Sequence, residues 1–105
     1  MIRIRISDEA LHDLNAGFLF YEAQEKGLGD YFAACLRSDI EGLRVSAGTH
    51  RVVYRDYHRL LSRVFPYGIF YSTTSTETVV WAVIDLRREP DWIRKIGRAS
   101  CRERV

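Results

Sequence analysis

Residues 65–90 read FPYGIFYSTTSTETVVWAVIDLRREP, and the fold turns on how this stretch is understood. Pro66 stands near its start, and a proline can begin a strand but cannot sit inside a central one. Residues 67–72 then supply aromatic and branched side chains, and residues 77–85 do so again with Val79, Val80, Trp81, Val83 and Ile84. Between them Thr73-Thr74-Ser75-Thr76 is polar and short enough for a hairpin connection, although it lacks the Asn-Gly or Gly-rich signature of a tight turn. Both segments are nearly continuous in apolar residues, which predicts central strands with at least one face under helices. The second ends in Arg87-Arg88-Glu89-Pro90, so an apolar strand delivers two guanidinium groups to a sheet edge.

Upstream, Ile2-Arg3-Ile4-Arg5-Ile6 alternates strictly and predicts a strand with isoleucines inward and arginines outward. Ser7 is a natural N-cap, and Asp8 and Glu9 suit the positive end of a helix dipole. Leu11, Leu14, Phe18 and Tyr21 recur at helical spacing, so residues 8–25 read as an amphipathic helix. Gly27 is placed to stop it as a left-handed cap, and Asp30 to cap the next helix. Phe32, Cys35, Leu36, Ile40 and Leu43 give that second helix its buried stripe, ending near Gly48. The link is too short for anything but antiparallel neighbours, hence a helical hairpin. Residues 50–63 are basic with interleaved aromatics, and a strand is expected at 57–63, antiparallel to the one at 67–73. In that strand Arg59 and Arg63 share a face. Pro90 and Trp92 begin a last helical turn, with Trp92 and Ile93 packing back on the sheet. The expected fold is α+β: an N-terminal strand, an antiparallel helical hairpin on a mostly antiparallel four-stranded sheet, and a short C-terminal helix.

A chain of 105 residues, 47% hydrophobic and 12% aromatic, holds one modest core and one domain. No run approaches the roughly 18 apolar residues of a membrane span, and no charged-then-apolar leader opens the chain. With Cys35 in a helical apolar pattern, far from Cys101, a reduced packed thiol and a cytoplasmic protein are expected. Residues 96–105, IGRASCRERV, carry no apolar period and resemble read-through of a common sequencing-adapter oligonucleotide. They are expected to be a non-native tail, leaving residues 1–95 as the domain. The tail holds three Arg and one Glu, so without it the formal charge of +2 falls to zero. What remains is asymmetry. Residues 7–43 have eight acidic against two basic side chains, a net −6, while residues 44–95 have nine basic against five acidic, a net +4. Such a polarised surface can orient an anionic partner even when net charge cancels.

FPYGIFY, a short polar turn, VVWAVIDLRREP and then DWIRK together resemble the C-terminal half of the RelE/ParE superfamily, the bacterial toxins of type II toxin–antitoxin pairs. The preceding strand and helical hairpin fit the same plan, so the resemblance spans residues 1–95. It implies a toxin that arrests growth until a cognate antitoxin binds it, docking an amphipathic segment on the sheet and hairpin. Two targets follow from the resemblance. In one branch the toxin enters the ribosomal A site and cleaves mRNA; in the other, ParE-like, it poisons DNA gyrase and has no catalytic site of its own. A third reading is a partner-binding module that has lost activity.

On the ribonuclease reading, Arg88 matches the arginine after the last strand that stabilises charge at the scissile phosphate, a task suited to bidentate, always-charged donors. Alternatively it pairs with Glu89, Asp91 or Asp85. Arg87 is a second candidate, although adjacent residues at a strand end point oppositely. Arg59 falls near a basic residue used in proton transfer by ribonucleolytic relatives; an arginine titrates too high for a general base and would act electrostatically. His58 can act as acid or base near neutral pH, and His50, in a polar turn, reads as solvated. Gly68 stands where those relatives carry a further catalytic arginine, with Arg63 the only substitute nearby. That departure, with the FPYGIFY strand and the lack of lysines around the sheet, favours the ParE-like branch. No His/Cys/Asp cluster at metal-ligand spacing, phosphate-cradling glycine loop or nucleophile elbow is present, so no cofactor or metal is expected.

Overall fold

The computed structural model describes residues 3–87, and its architecture is α+β. Strand β1 (Arg3–Ile6) leads into helix α1 (Asp8–Gln24), helix α2 (Leu28–Glu41) and the single turn α3 (Leu43–Ser46). Strands β2 (Val52–Tyr54), β3 (Tyr57–Leu61), β4 (Tyr67–Thr73) and β5 (Glu77–Asp85) follow. The sheet order is β1-β5-β4-β3-β2, antiparallel throughout except for the parallel pair β1 and β5. The anticipated strands are present, and the sheet has one more than expected. β2 escaped notice because it is three residues long and turns back through Arg55, which adopts a left-handed φ of 52°. Glycine, Asn or Asp are the usual residues at such a position, and arginine gives no signal. The C-terminal helix and the tail lie outside the described residues.

The helical hairpin forms as its sequence dictates. Ser7 caps α1 by accepting from the Ala10 amide at 3.1 Å. Gly27, at φ 90°, turns the chain between helices, and the Glu22 carboxylate accepts from the amides of Gly27 and Gly29, bracing the corner. Asp30 lies in the first turn of α2 rather than at its cap. α2 stops at Gly42 instead of running on to Gly48, and α3 continues separately. The β4–β5 turn replaces the missing glycine with hydroxyls: Thr74 Oγ1 accepts from the Glu77 amide at 3.1 Å, and the Thr73 and Thr78 hydroxyls pair at 2.8 Å.

The hairpin packs on one face of the sheet. Phe32, Leu36, Ile40 and Leu43 from the helical side meet Tyr67, Ile69, Tyr71, Val80 and Val83. Tyr57, Phe70, Val79, Trp81, Ala82 and Ile84 form a second cluster on the opposite face. Alternation alone would not put Trp81 and Ala82 together. A bulge does it: Phe70 pairs with Ala82 and Tyr71 with Val80, so Trp81 is the extra residue. β1 ends opposite Val80, and beyond that point α1 supplies the partners. The Ser7 hydroxyl donates to the Trp81 carbonyl at 3.1 Å, and Asp13 Oδ2 accepts from the Val83 amide at 3.0 Å. Both polar side chains are buried. They continue the hydrogen bonding that β1 begins, and so fix α1 against the bulge.

Candidate functional site

The strand alternation of β3 separates the two candidates that are adjacent in sequence. Arg59 pairs with Phe70 and belongs to the face opposite the helices, beside Tyr57. His58 faces the helical side, its ring stacked on Tyr71 with centroids 5.1 Å apart and planes 17° apart. The two therefore do not converge on one reacting group. Arg63 is not on Arg59's face either: β3 ends at Leu61, and the Arg63 guanidinium meets the buried Asp39 carboxylate of α2 at 3.4 Å. Arg87 follows the end of β5, where its amide donates to Asp85 Oδ1 at 3.0 Å and its side chain is exposed. Arg59 shares its row of the sheet with Phe70 and Ala82, five residues before Arg87. Arg88 lies outside the described residues.

Gly68 explains itself at this point. A Cβ placed there would come within 3.0 Å of Phe70 Cε1 and 3.3 Å of Leu86 Cδ1. Both neighbours are apolar, and they would have to give by a few tenths of an ångström to admit a Cβ. The same face carries its cations toward the rims: Arg5 stands 5.8 Å over the Trp81 ring and 3.5 Å from Glu77, and Trp81 Nε1 donates to the Ser72 hydroxyl at 2.8 Å. Apolar aromatics occupy the middle, and β1 with Arg5 and β3 with Arg59 flank the two strands that carry Trp81 and Phe70.

On the helical side a groove of about 380 Å³ runs between α1, α2 and β1. Ile4, Ile6, Leu14, Phe18 and Ile40 line it, Leu11 stands half exposed in its wall, and Arg37 and Arg44 are at its margin. Leu11 was expected in the core; here it leaves a face of α1 uncovered. A second groove, lined by Tyr31, Cys35, Asp39, Arg63 and Val64, lies between α2 and the β3–β4 connection. Neither groove includes Arg59, Arg87 or His58. Among the described residues no cluster of three or more His, Cys, Asp or Glu is placed to hold a metal ion, and no helix is long and apolar enough to cross a membrane.

The fold has a solved counterpart. A chain from the structure described as the chromosomal ParDE TA system from P. aeruginosa superposes with a TM-score of 0.73, covering 79% of this chain and 94% of that one. The two are 13% identical in sequence. At that identity the likeness is one of fold. No protein-family model matches the chain, and no curated protein matches it significantly in sequence.

Proposed function

We propose that this chain is the toxin of a two-component toxin–antitoxin pair, of the ParE-like kind that acts by binding and poisoning DNA gyrase rather than by cleaving RNA. The fold likeness to a chain of a ParDE system supports the toxin reading. The observation that carries the choice of branch is Gly68. Where a ribonucleolytic relative would present an arginine, Phe70 and Leu86 crowd the position of a Cβ. Phosphoryl chemistry depends on several charge-stabilising groups held together around one phosphate. Here Arg59 and His58 face opposite ways, and Arg63 is engaged with Asp39.

The antitoxin on this reading carries an amphipathic, acidic segment that folds on binding. Its apolar face fits the groove walled by Leu11, Leu14 and Phe18, and its carboxylates meet Arg37 at the margin, where Arg44 is already paired with Glu41. Controlled expression in a bacterial host tests the proposal, with mRNA cleavage and gyrase-dependent DNA breaks read in parallel. DNA breaks without mRNA cleavage are expected. Ribosome-dependent mRNA cleavage would overturn the choice of branch, and unimpaired growth with neither lesion would overturn the toxin reading.

A further inference from the structure

The helical layer is joined to the edge strand β2 by a short crossover, and that crossover is fastened to the sheet by an unusual set of aromatic groups. Tyr71 has no exposed surface. Its hydroxyl oxygen lies 3.1 Å from the Gly48 amide and 2.6 Å from His50 Nδ1. His58 stacks on the same tyrosine ring, and its Nδ1 lies 2.8 Å from the His50 carbonyl. The Arg59 amide donates to the Arg51 carbonyl at 3.0 Å, the next fastening along the chain.

One of these contacts sets a tautomer. A carbonyl only accepts, so His58 carries its proton on Nδ1 and donates it to His50. The Tyr71 oxygen accepts from Gly48, and with neutral His50 in its Nε2–H tautomer the hydroxyl proton goes to His50 Nδ1. Adding a proton to His50 destroys this arrangement. Nδ1–H and the Gly48 amide then both point at one phenolic oxygen, and the buried hydroxyl proton loses its acceptor, a costly state away from water.

We propose that Gly48, His50, His58 and Tyr71 form an acid-released latch that holds the crossover and the edge strand β2 onto the sheet. β2 is otherwise held by its pairing with β3 and by Val53, packed on the second cluster. It is three residues long, lies at the sheet edge and pairs with β3 in a shifted register. The groups that face His50 reinforce the direction. Burial and the neighbouring His58 both disfavour charge on the His50 ring, in that order, and set its pKa below the ordinary 6.5. Tyr71, pushed above its usual 10.0 by burial, stays a neutral phenol through the whole range. On α3, Arg44 is paired with Glu41 at 2.7 Å. The latch is closed above the ordinary histidine range and opens as pH falls through the lowered value. This inference stands whether or not the chain is a toxin.

Amide exchange by NMR tests it, with the His50 ring nitrogens observed in the same samples. The expected result is an Nε2–H tautomer of His50 at neutral pH. The Gly48 protection factor should fall at least about tenfold between about pH 7.5 and about pH 5, in step with His50 titration, while Ile69 in β4 stays protected. His50→Gln removes the titrating group and should abolish the pH dependence at Gly48. Tyr71→Phe should lower Gly48 protection at every pH. An Nδ1–H tautomer at neutral pH, Gly48 protection that ignores His50 titration, loss of Ile69 protection together with Gly48, or an unchanged pH response in His50→Gln would each overturn the latch.

Discussion

Asp13 is the residue whose removal best tests how the helical layer is joined to the sheet. It sits in the middle of α1, only 6% exposed, and its Oδ2 accepts from the Val83 amide at 3.0 Å, 70 residues away in sequence. Val83 lies two residues past the bulged Trp81, in the part of β5 that β1 does not reach. Asp13→Ala leaves that buried amide without the carboxylate. A charge-assisted bond of this kind is lost together with the desolvation of its donor, which gives about 2–4 kcal/mol. Asp13→Asn keeps an oxygen acceptor of the same shape and should cost about 1 kcal/mol.

Urea denaturation of the purified chain measures both. With a slope of about 1–3 kcal/mol per molar for a small domain, Asp13→Ala should lower the midpoint by about 1–2 M, and Asp13→Asn by well under half of that. Ser7→Ala removes the α1 cap and the donor to the Trp81 carbonyl, and should cost about 1–2 kcal/mol. Because Ser7 and Asp13 secure the same bulge from the same helix, the double variant should deviate from additivity by about 0.5 kcal/mol or more. If Asp13→Ala shifts stability by less than about 0.5 kcal/mol, or if Asp13→Asn is as damaging as Asp13→Ala, the acceptor role assigned to Asp13 is wrong.

Other outcomes follow from the same packing. Gly17→Ala gains roughly 1 kcal/mol of helix propensity, yet its new methyl would lie 2.5 Å from the buried Phe32 ring, so a net loss of about 1–3 kcal/mol is expected by thermal or urea melting. Leu11→Asp changes a half-exposed groove wall; melting should move by about 0.5–1 kcal/mol, while on the proposed function affinity for the antitoxin, measured by calorimetry, should fall at least about tenfold. Arg87→Ala should leave stability within about 0.5 kcal/mol, since the side chain is exposed and its amide keeps the bond to Asp85. Undiminished growth arrest at matched expression would then remove Arg87 from the site.

Much of this architecture is readable from local pattern. The Ile-Arg alternation, the cap at Ser7 and the two apolar runs each obey short-range rules, and each becomes the expected element; Gly27 is left-handed as expected but caps the start of α2, while α1 ends at Glu25. What escapes is set by contacts distant in sequence. The edge strand β2 depends on an arginine taking a left-handed turn. The bulge at Trp81 inserts a residue into an otherwise regular run, and its support comes from Asp13, which in sequence looks like an ordinary charge on the solvent side of a helix. His50, read as solvated in a polar turn, is instead engaged by a buried tyrosine from β4.

The candidate site was harder to read for a related reason. Neighbouring letters suggest neighbouring groups, so His58 and Arg59 look like one basic cluster; a strand sends them to opposite faces, and only the assignment of residues 57–61 as β3 reveals it. Gly68 shows the converse. In the sequence it is an absence, a position where an arginine is missing and another basic residue might have compensated. In the fold it is a packed position. Its pairing with Leu61 and Ile84 places it between strands, and the Phe70 ring and Leu86 close over the place of its missing side chain. A side chain introduced there would first require the Phe70 ring, which has no exposed surface, and Leu86 to give by a few tenths of an ångström at its Cβ. The face opposite the helices is therefore packed with apolar groups around Gly68. On the proposed reading, that packing, more than the absence of one arginine, favours the branch that works by binding.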